Sequence, residues 1–212
     1  MKTFQSLMRF VIPFLFLATL PTYAQFTPLD DAYTNTTSAG TNFGAATTLS
    51  VGSPSQTTFV SFDLSSIPSG YTGANVAKAS LKLYVNTVTT AGSFNVDFVN
   101  GAWSEKTITA NLSPALGSTV AASIPVAKAN AHDYVLVDVT AAVAAWLDGT
   151  QANDGLALVG NSPFNATFDT RRTRRKVIRR NWTLCSQEAG AESPGSLRPA
   201  AAVWSEAVPA AH

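Results

Sequence analysis

Apolar and polar residues alternate along Thr57–Asp63, Ala79–Val85, Phe94–Val99, Tyr134–Val139 and Gly155–Val159. Successive side chains of a strand point to opposite faces, so this alternation predicts strands with one face buried. Val, Phe, Tyr and Leu fill these stretches, and turn-forming clusters such as Gly52-Ser53-Pro54-Ser55 and Pro68-Ser69-Gly70 separate them. Many short strands without a βα rhythm predict an all-β fold, a β-sandwich or jelly roll of antiparallel strands. One segment departs from the pattern. Residues 139–147 are Ala-rich and place Val139, Val143 and Trp146/Leu147 at helical spacing, with Asp138 or Thr140 available as N-cap and Gly149 beyond the end. The expectation is one short helix whose apolar face, Trp146 included, plugs an open end of the sandwich.

The N-terminus follows a different logic. Residues 1–24 open with Lys2 and Arg9, continue through an apolar run from Phe10 to Leu20, and leave by Pro21-Thr22-Tyr23-Ala24. Such a segment reads as a secretory signal peptide cut before Gln25, which implies a secreted, extracellular protein. The apolar run is about half the roughly 20 residues that a membrane-spanning helix needs, and no second run follows, so no membrane span is expected after cleavage.

Charge divides the chain at Thr170. Residues 25–170 hold four Lys and no Arg against nine Asp and one Glu, whereas residues 171–212 hold seven Arg and one Lys against three Glu. An acidic body without arginine argues against nucleic acid, whose binding is dominated by cationic contacts to phosphate. The single Cys185 excludes an intramolecular disulfide. Catalysis finds little support. The body offers one histidine, His132 beside Asp133, which reads as a turn residue, and no His/Cys cluster has zinc spacing. Of the paired carboxylates that could cleave a glycoside, Asp97 falls at an outward strand position, and Asp31 and Glu105 fall in segments that read as architectural. The chain is therefore expected not to be an enzyme.

Several pieces occur in a fixed order: Asp31-Ala32-Tyr33, Asn42-Phe43-Gly44, Leu49-Ser50-Val51-Gly52, Val60-Ser61-Phe62-Asp63-Leu64-Ser65-Ser66-Ile67-Pro68 and Trp103-Ser104-Glu105. Asp138-Val139-Thr140 with Trp146-Leu147, Asn153-Asp154-Gly155-Leu156-Ala157-Leu158 and Ala166-Thr167-Phe168-Asp169 follow. This succession, over roughly Thr27 to Thr170, resembles the bacterial DNRLRE-type domain, also described as carbohydrate-binding module family 96. The resemblance implies a jelly-roll module that binds polysaccharide, in some members acidic glycans such as alginate. A structural or adhesive head domain of a bacterial surface protein is the alternative. Two features depart from the family pattern: Thr109-Ala110-Asn111 stands where a second Trp is usual, and the closing strand expected after Asp169 is missing.

The tail from Arg171 to Cys185 is basic and matches no strand of the family. Joining the third base of each codon to the first two of the next makes Asn181-Trp182 encode Leu and Trp182-Thr183 encode Asp. The same displaced frame permits Ser-His-Pro-Pro-Glu before them and Ile-Val after. We read this as a base gained or lost near Thr170, so that residues 25–170 form the domain without its native last strand. Residues 171–212 then become a basic, later Ala/Pro-rich tail, disordered or out of frame. A basic arm for anionic surfaces is the rival reading. Long-read resequencing of the locus is expected to restore the displaced frame; an intact frame there overturns this account.

A sugar ligand needs a flat aromatic face for the C–H side of a pyranose and polar groups for its hydroxyls. Tyr33, Phe43, Tyr71 and Trp103 sit at loops or strand ends where this is possible, although Trp103 also reads as architecture because the Trp-Ser-Glu piece recurs in the resembling domains. Lys82, like Lys78, Lys106 and Lys128, could pair with a uronate carboxylate. Phe59, Phe62, Tyr84, Phe94, Phe98 and Tyr134 fall inside strands, and those on the inward face belong to the core. Asp30, Asp31 and Asn42, with carbonyls of the loop through Gly44, are hard oxygen donors suited to a structural calcium ion. Asp and Asn in such loops also cap turns through the local backbone.

Overall fold

The computed structural model describes residues 22–26, 28–172 and 182–186. Its strands are β1 (Thr22–Phe26), β2 (Pro28–Asn35), β3 (Thr48–Gly52), β4 (Gln56–Phe62), β5 (Val76–Lys78), β6 (Ser80–Thr90), β7 (Gly92–Asn100), β8 (Ala115–Val126) and β9 (Tyr134–Asp138). The helix α1 (Thr140–Leu147) leads to β10 (Leu156–Gly160), β11 (Asn165–Asp169) and β12 (Trp182–Ser186). All pairings are antiparallel, in the order β8-β7-β10-β4-β3-β11-β6-β9 with β2 on the other side of β4, and β1-β12-β5 forms a smaller sheet. The all-β antiparallel architecture expected from the alternation is present. The β3–β4 link is a single pair, Gly52 with Gln56. It divides the long sheet into two layers, β2-β4-β10-β7-β8 and β3-β11-β6-β9.

Between the layers lies the main core. Val60, Phe62, Phe94, Val96, Leu156 and Leu158 enter it from the first layer, and Leu49, Val51, Leu81, Leu83, Val85 and Phe168 from the second. Phe94 anchors it, with ring centroids 6.0 Å from Phe164 and 5.7 Å from Phe168. A second, smaller core sits on the outer side of the first layer, where Ala32, Phe59, Val99, Ile108 and Ala157 are buried together with Trp103 against them. The long β7–β8 connection, which carries Trp103 and Ile108, covers that side. β4 is therefore buried on both faces, Val60 inward and Phe59 outward.

Helix α1 closes one end as expected, burying Ala142, Val143 and Trp146, with Trp146 edge-on to Phe98 at 6.3 Å. Its N-cap position is Val139 rather than Asp138 or Thr140. The Asp138 carboxylate nevertheless accepts from both the Thr140 N–H (2.9 Å) and its hydroxyl (2.6 Å), and the Thr140 hydroxyl accepts from Ala79 N–H (2.9 Å), which ties the helix to the entrance of β6.

Described strands lie at both of the boundaries drawn from the sequence. β1 begins at Thr22, inside the stretch read as the signal peptide, the rest of which lies outside the described residues. Past Thr170, Arg171 and Arg172 bond to side chains of the body, and the backbone of β12 pairs with both β1 and β5, so the ladder continues where no closing strand was expected. Residues 173–181 and 187–212 of the expected tail lie outside the described residues.

Gly155 opens β10 at φ +93, and a Cβ there would stand 2.3 Å from the Val60 carbonyl oxygen of the neighbouring strand. Gly155→Ala combines a left-handed backbone with a backbone clash, and is expected to lower unfolding free energy by about 2 kcal/mol or more in urea titrations. An unchanged midpoint would show that β10 and β4 can separate there at no cost.

Candidate functional site

Two groups of residues come together in different places, one holding the predicted Asp30, Asp31 and Asn42, the other the predicted Lys82 beside two tyrosines not predicted as ligands. The first gathers where β2, the Phe43–Thr47 loop and the β7–β8 connection meet. Asn42 spends its whole carboxamide here: Nδ2 donates to the carbonyls of Glu105 (2.9 Å) and Ile108 (2.7 Å), and Oδ1 accepts from Gly44 N–H (3.2 Å). Gly44 passes so close to Glu105 that a Cβ would fall 1.7 Å from its carbonyl oxygen. The contact brings Glu105 beside Asp30 and Asp31. Asp31, fully buried, would face Glu105 as like charge against like charge, a costly arrangement without cations. Arg171 and Arg172 supply them. Arg171 donates its N–H to Asp31 Oδ2 and its Nη2 to Glu105 Oε1, both at 2.5 Å. Arg172 Nη1 reaches Asp31 Oδ1 at 3.0 Å, and its Nη2 pairs with Glu105 Oε2. Asp30 stands at the rim, 3.9 Å from Arg171 Nη2.

The oxygens of Asp30 and Asp31 that sequence offered to calcium thus lie among two guanidinium groups, while Asn42 serves as a clamp between loops. Among the described residues no group of three or more His, Cys, Asp or Glu is arranged to hold a metal. What this arrangement does is join distant segments: Arg171 and Arg172, about 140 residues downstream of Asp31, fasten the end of β11 to β2.

Burial pushes the Glu105 carboxyl up, but hydrogen bonds from Arg172 and Arg171, and from Asp31 N–H, outweigh it and hold Glu105 below its ordinary value of 4.5. A carboxyl depressed in the folded state contributes stability above its unfolded pKa and loses it as pH falls through the folded one. Unfolding free energy is therefore expected to decline as pH drops below 4.5. Glu105→Gln, expected to cost about 1–2 kcal/mol at neutral pH because the arginines are one-third exposed, should flatten that decline. Equal slopes for parent and variant in pH-dependent denaturation would show that Glu105 does not carry it.

The second group lies on the outer face of β6 and β9. Leu81, Leu83 and Val85 point into the core, so Lys82 and Tyr84 point out. Across the ladder Tyr84 is paired with Tyr134 and Lys82 with Leu136. The two tyrosine rings lie 5.1 Å apart, tilted at 58°, and Lys82 Nζ rests 4.2 Å above the Tyr134 ring, a cation–π contact. Burial first, then the neighbouring Tyr84, Asp169 and Asp133, pushes the Tyr134 phenol up to about 12, so it remains a hydrogen-bond donor in any ordinary medium. Tyr84, Tyr134 and Lys82 are all partly exposed and Leu136 is 56% exposed. No covering loop like the β7–β8 connection lies over this face among the described residues.

The other predicted ligand residues fare differently. Trp103 is structural: its Nε1 donates to the Asp154 carbonyl (2.8 Å), and its ring packs on Phe59 at 5.8 Å within the second core. Tyr33 and Phe43 stack at 4.5 Å, nearly parallel at 18°, beside β3. Tyr71 lies in the turn after Pro68, and no hydrogen bond or ring contact among the described residues joins it to either pair. Tyr84 and Tyr134, strand aromatics outside the set of predicted ligand residues, face outward. The alternation Leu81-Lys82-Leu83-Tyr84-Val85 carries that information, since a residue between two inward leucines faces out.

Among protein families, the model of carbohydrate-binding module family 96 matches residues 22–179. No curated protein matches the chain.

Proposed function

Because the chain belongs to carbohydrate-binding module family 96, we propose that it is a non-catalytic extracellular module that holds a polysaccharide or cell-surface glycan on the outer face of β6 and β9. The observation that carries this reading is the Tyr84–Tyr134 pair on an uncovered sheet face, with Lys82 beside it. A pyranose presents C–H groups on one side and hydroxyls around its rim. Tyrosine rings match the first, and their phenols, with Asp169 and Lys82, match the second. Acidic glycans such as alginate are the narrower ligand class, with Lys82 as the cation that meets a uronate carboxylate. Asp133, Asp138 and Asp169 stand nearby with the opposite charge, so Lys82 must act at short range. Secretion, with the N-terminal segment as its signal, places the module where such polymers occur. No helix among the described residues is long and apolar enough to cross a membrane.

Affinity electrophoresis of the full secreted chain through gels holding alginate or a neutral β-glucan tests this. Retardation is expected in at least one gel, and Tyr84→Ala or Tyr134→Ala should weaken it about tenfold, as loss of a contact residue worth more than 1 kcal/mol does. Lys82→Ala should weaken retention by alginate far more than by the neutral polymer. Full retention in both tyrosine variants would remove this face from the site. Indifference of the parent chain to every polysaccharide would favour a structural or adhesive role instead.

A further inference from the structure

The polar and aromatic groups of this face do not stop at Tyr84. Next to β6 lies β11, whose Ala166 and Phe168 are buried in the core, so that Thr167 and Asp169 point the other way. Thr167 pairs with Thr87 across the ladder, and their hydroxyls are 2.7 Å apart. On the far side of β11, Thr167 is the partner of Ser50 and Asp169 of Thr48, both on β3, where Leu49 and Val51 take the inward positions. The Ser50 side chain in turn hydrogen-bonds the hydroxyl of Tyr33, which is stacked on Phe43. Thr87 is exposed, and Ser50, Thr167 and Asp169 are partly exposed.

The outer side of β9-β6-β11-β3 therefore carries a row of hydroxyls and one carboxylate, with Tyr84/Tyr134 at one end and, beyond β3 at the other, the Tyr33/Phe43 pair of β2 and the loop before β3. A linear polysaccharide offers matching groups in sequence, apolar ring faces and rim hydroxyls repeated along one direction. From β9 to β3 there are three strand-to-strand steps, which at about 4.8 Å each make roughly 14 Å, and Tyr33 lies beyond β3 on β2. A disaccharide is too short to touch both aromatic pairs; a chain of several sugars spans them.

Resting on the glycan-binding reading above, we propose that one linear polysaccharide chain lies across the strands of this layer and engages Tyr84/Tyr134 and Tyr33/Phe43 together, so that the module recognises the interior of a polymer rather than its end. The two aromatic pairs then act as linked contacts on one ligand. A sugar long enough to reach the second pair gains it at high effective concentration, and a shorter one does not.

Titration calorimetry of the full secreted chain with size-fractionated oligosaccharides of alginate and of a neutral β-glucan, from disaccharide to hexasaccharide, is the test. Affinity should climb at least tenfold between the disaccharide and the longest fractions, then level off. Phe43→Ala should lower hexasaccharide affinity about tenfold and leave disaccharide affinity unchanged, whereas Tyr134→Ala should lower both. Thr87→Val, in the middle of the row, provides a second variant should Phe43→Ala disturb the loop, and it too should act only on the longer fractions. Affinity independent of length, or a hexasaccharide indifferent to both Phe43→Ala and Thr87→Val, overturns the extended track while leaving glycan binding at Tyr84/Tyr134 intact. No binding by any fraction of either polymer, nor by the unfractionated polymers, overturns both readings.

Discussion

A strand has two faces, and what covers each of them decides everything else in this molecule. In the first layer both faces are taken. Val60 and Phe62 fill the main core, while Phe59 and Ala157 lie under Trp103 and Ile108. In the second layer only the inner face is taken among the described residues. Leu81, Leu83, Val85 and Phe168 account for its burial, and the side chains alternating with them are left to solvent. Residue types on that free face are those a sugar uses, because tyrosine tolerates a half-exposed sheet position better than phenylalanine does, its ring packed and its hydroxyl wet. The proposed glycan face is thus linked to the fold by an asymmetry of coverage, which the β7–β8 connection creates.

Holding that connection down is the task of polar chemistry. Asn42 clamps it from one side through two backbone carbonyls, and Gly44 permits the approach. From the other side Arg171 and Arg172 neutralise Asp31 and Glu105, which could not share a buried pocket as bare carboxylates. Specificity of geometry is what such a network supplies, more than net stability. It fixes where the β7–β8 connection lies, and with it which layer is covered.

Legibility in the sequence follows the range of the interactions. Where burial is one-sided and local, as in β6 and β9, alternation gives the strand and even the facing of Tyr84, which stands between the inward Leu83 and Val85. β8 is not legible because it pairs on one side only, with β7, is bulged, and buries little beyond Val126, so no alternation is imposed on it. Phe59 reads as an ordinary core position, and only the distant Trp103 explains why its outward face is dry. Trp103 itself has the composition of a sugar platform and the contacts of a core residue. Nothing local distinguishes these, since its hydrogen bond to Asp154 spans 51 residues. The arginines mark the limit of composition as a guide. A break in charge at Thr170 suggests a foreign tail, yet the first two residues beyond it answer carboxylates at the other end of the domain.

The closing strand poses the same question in backbone terms. β1 and β5 each present an edge, and an unfilled gap between them would leave two rows of unpaired N–H and C=O groups. Backbone ladders are nearly indifferent to side chains, so the location of β12 is set by those edges rather than by its own residues. The displaced frame would put its Leu-Asp-Ile-Val over the junctions from Asn181 to Cys185, and the described strand spans Trp182–Ser186. The two accounts agree on where the last strand must run and differ only in the side chains it brings. The same holds across the sheet: backbone pairing fixes the cross-strand spacing of Tyr134, Tyr84, Thr167 and Ser50, and side chains decide what that fixed spacing can recognise.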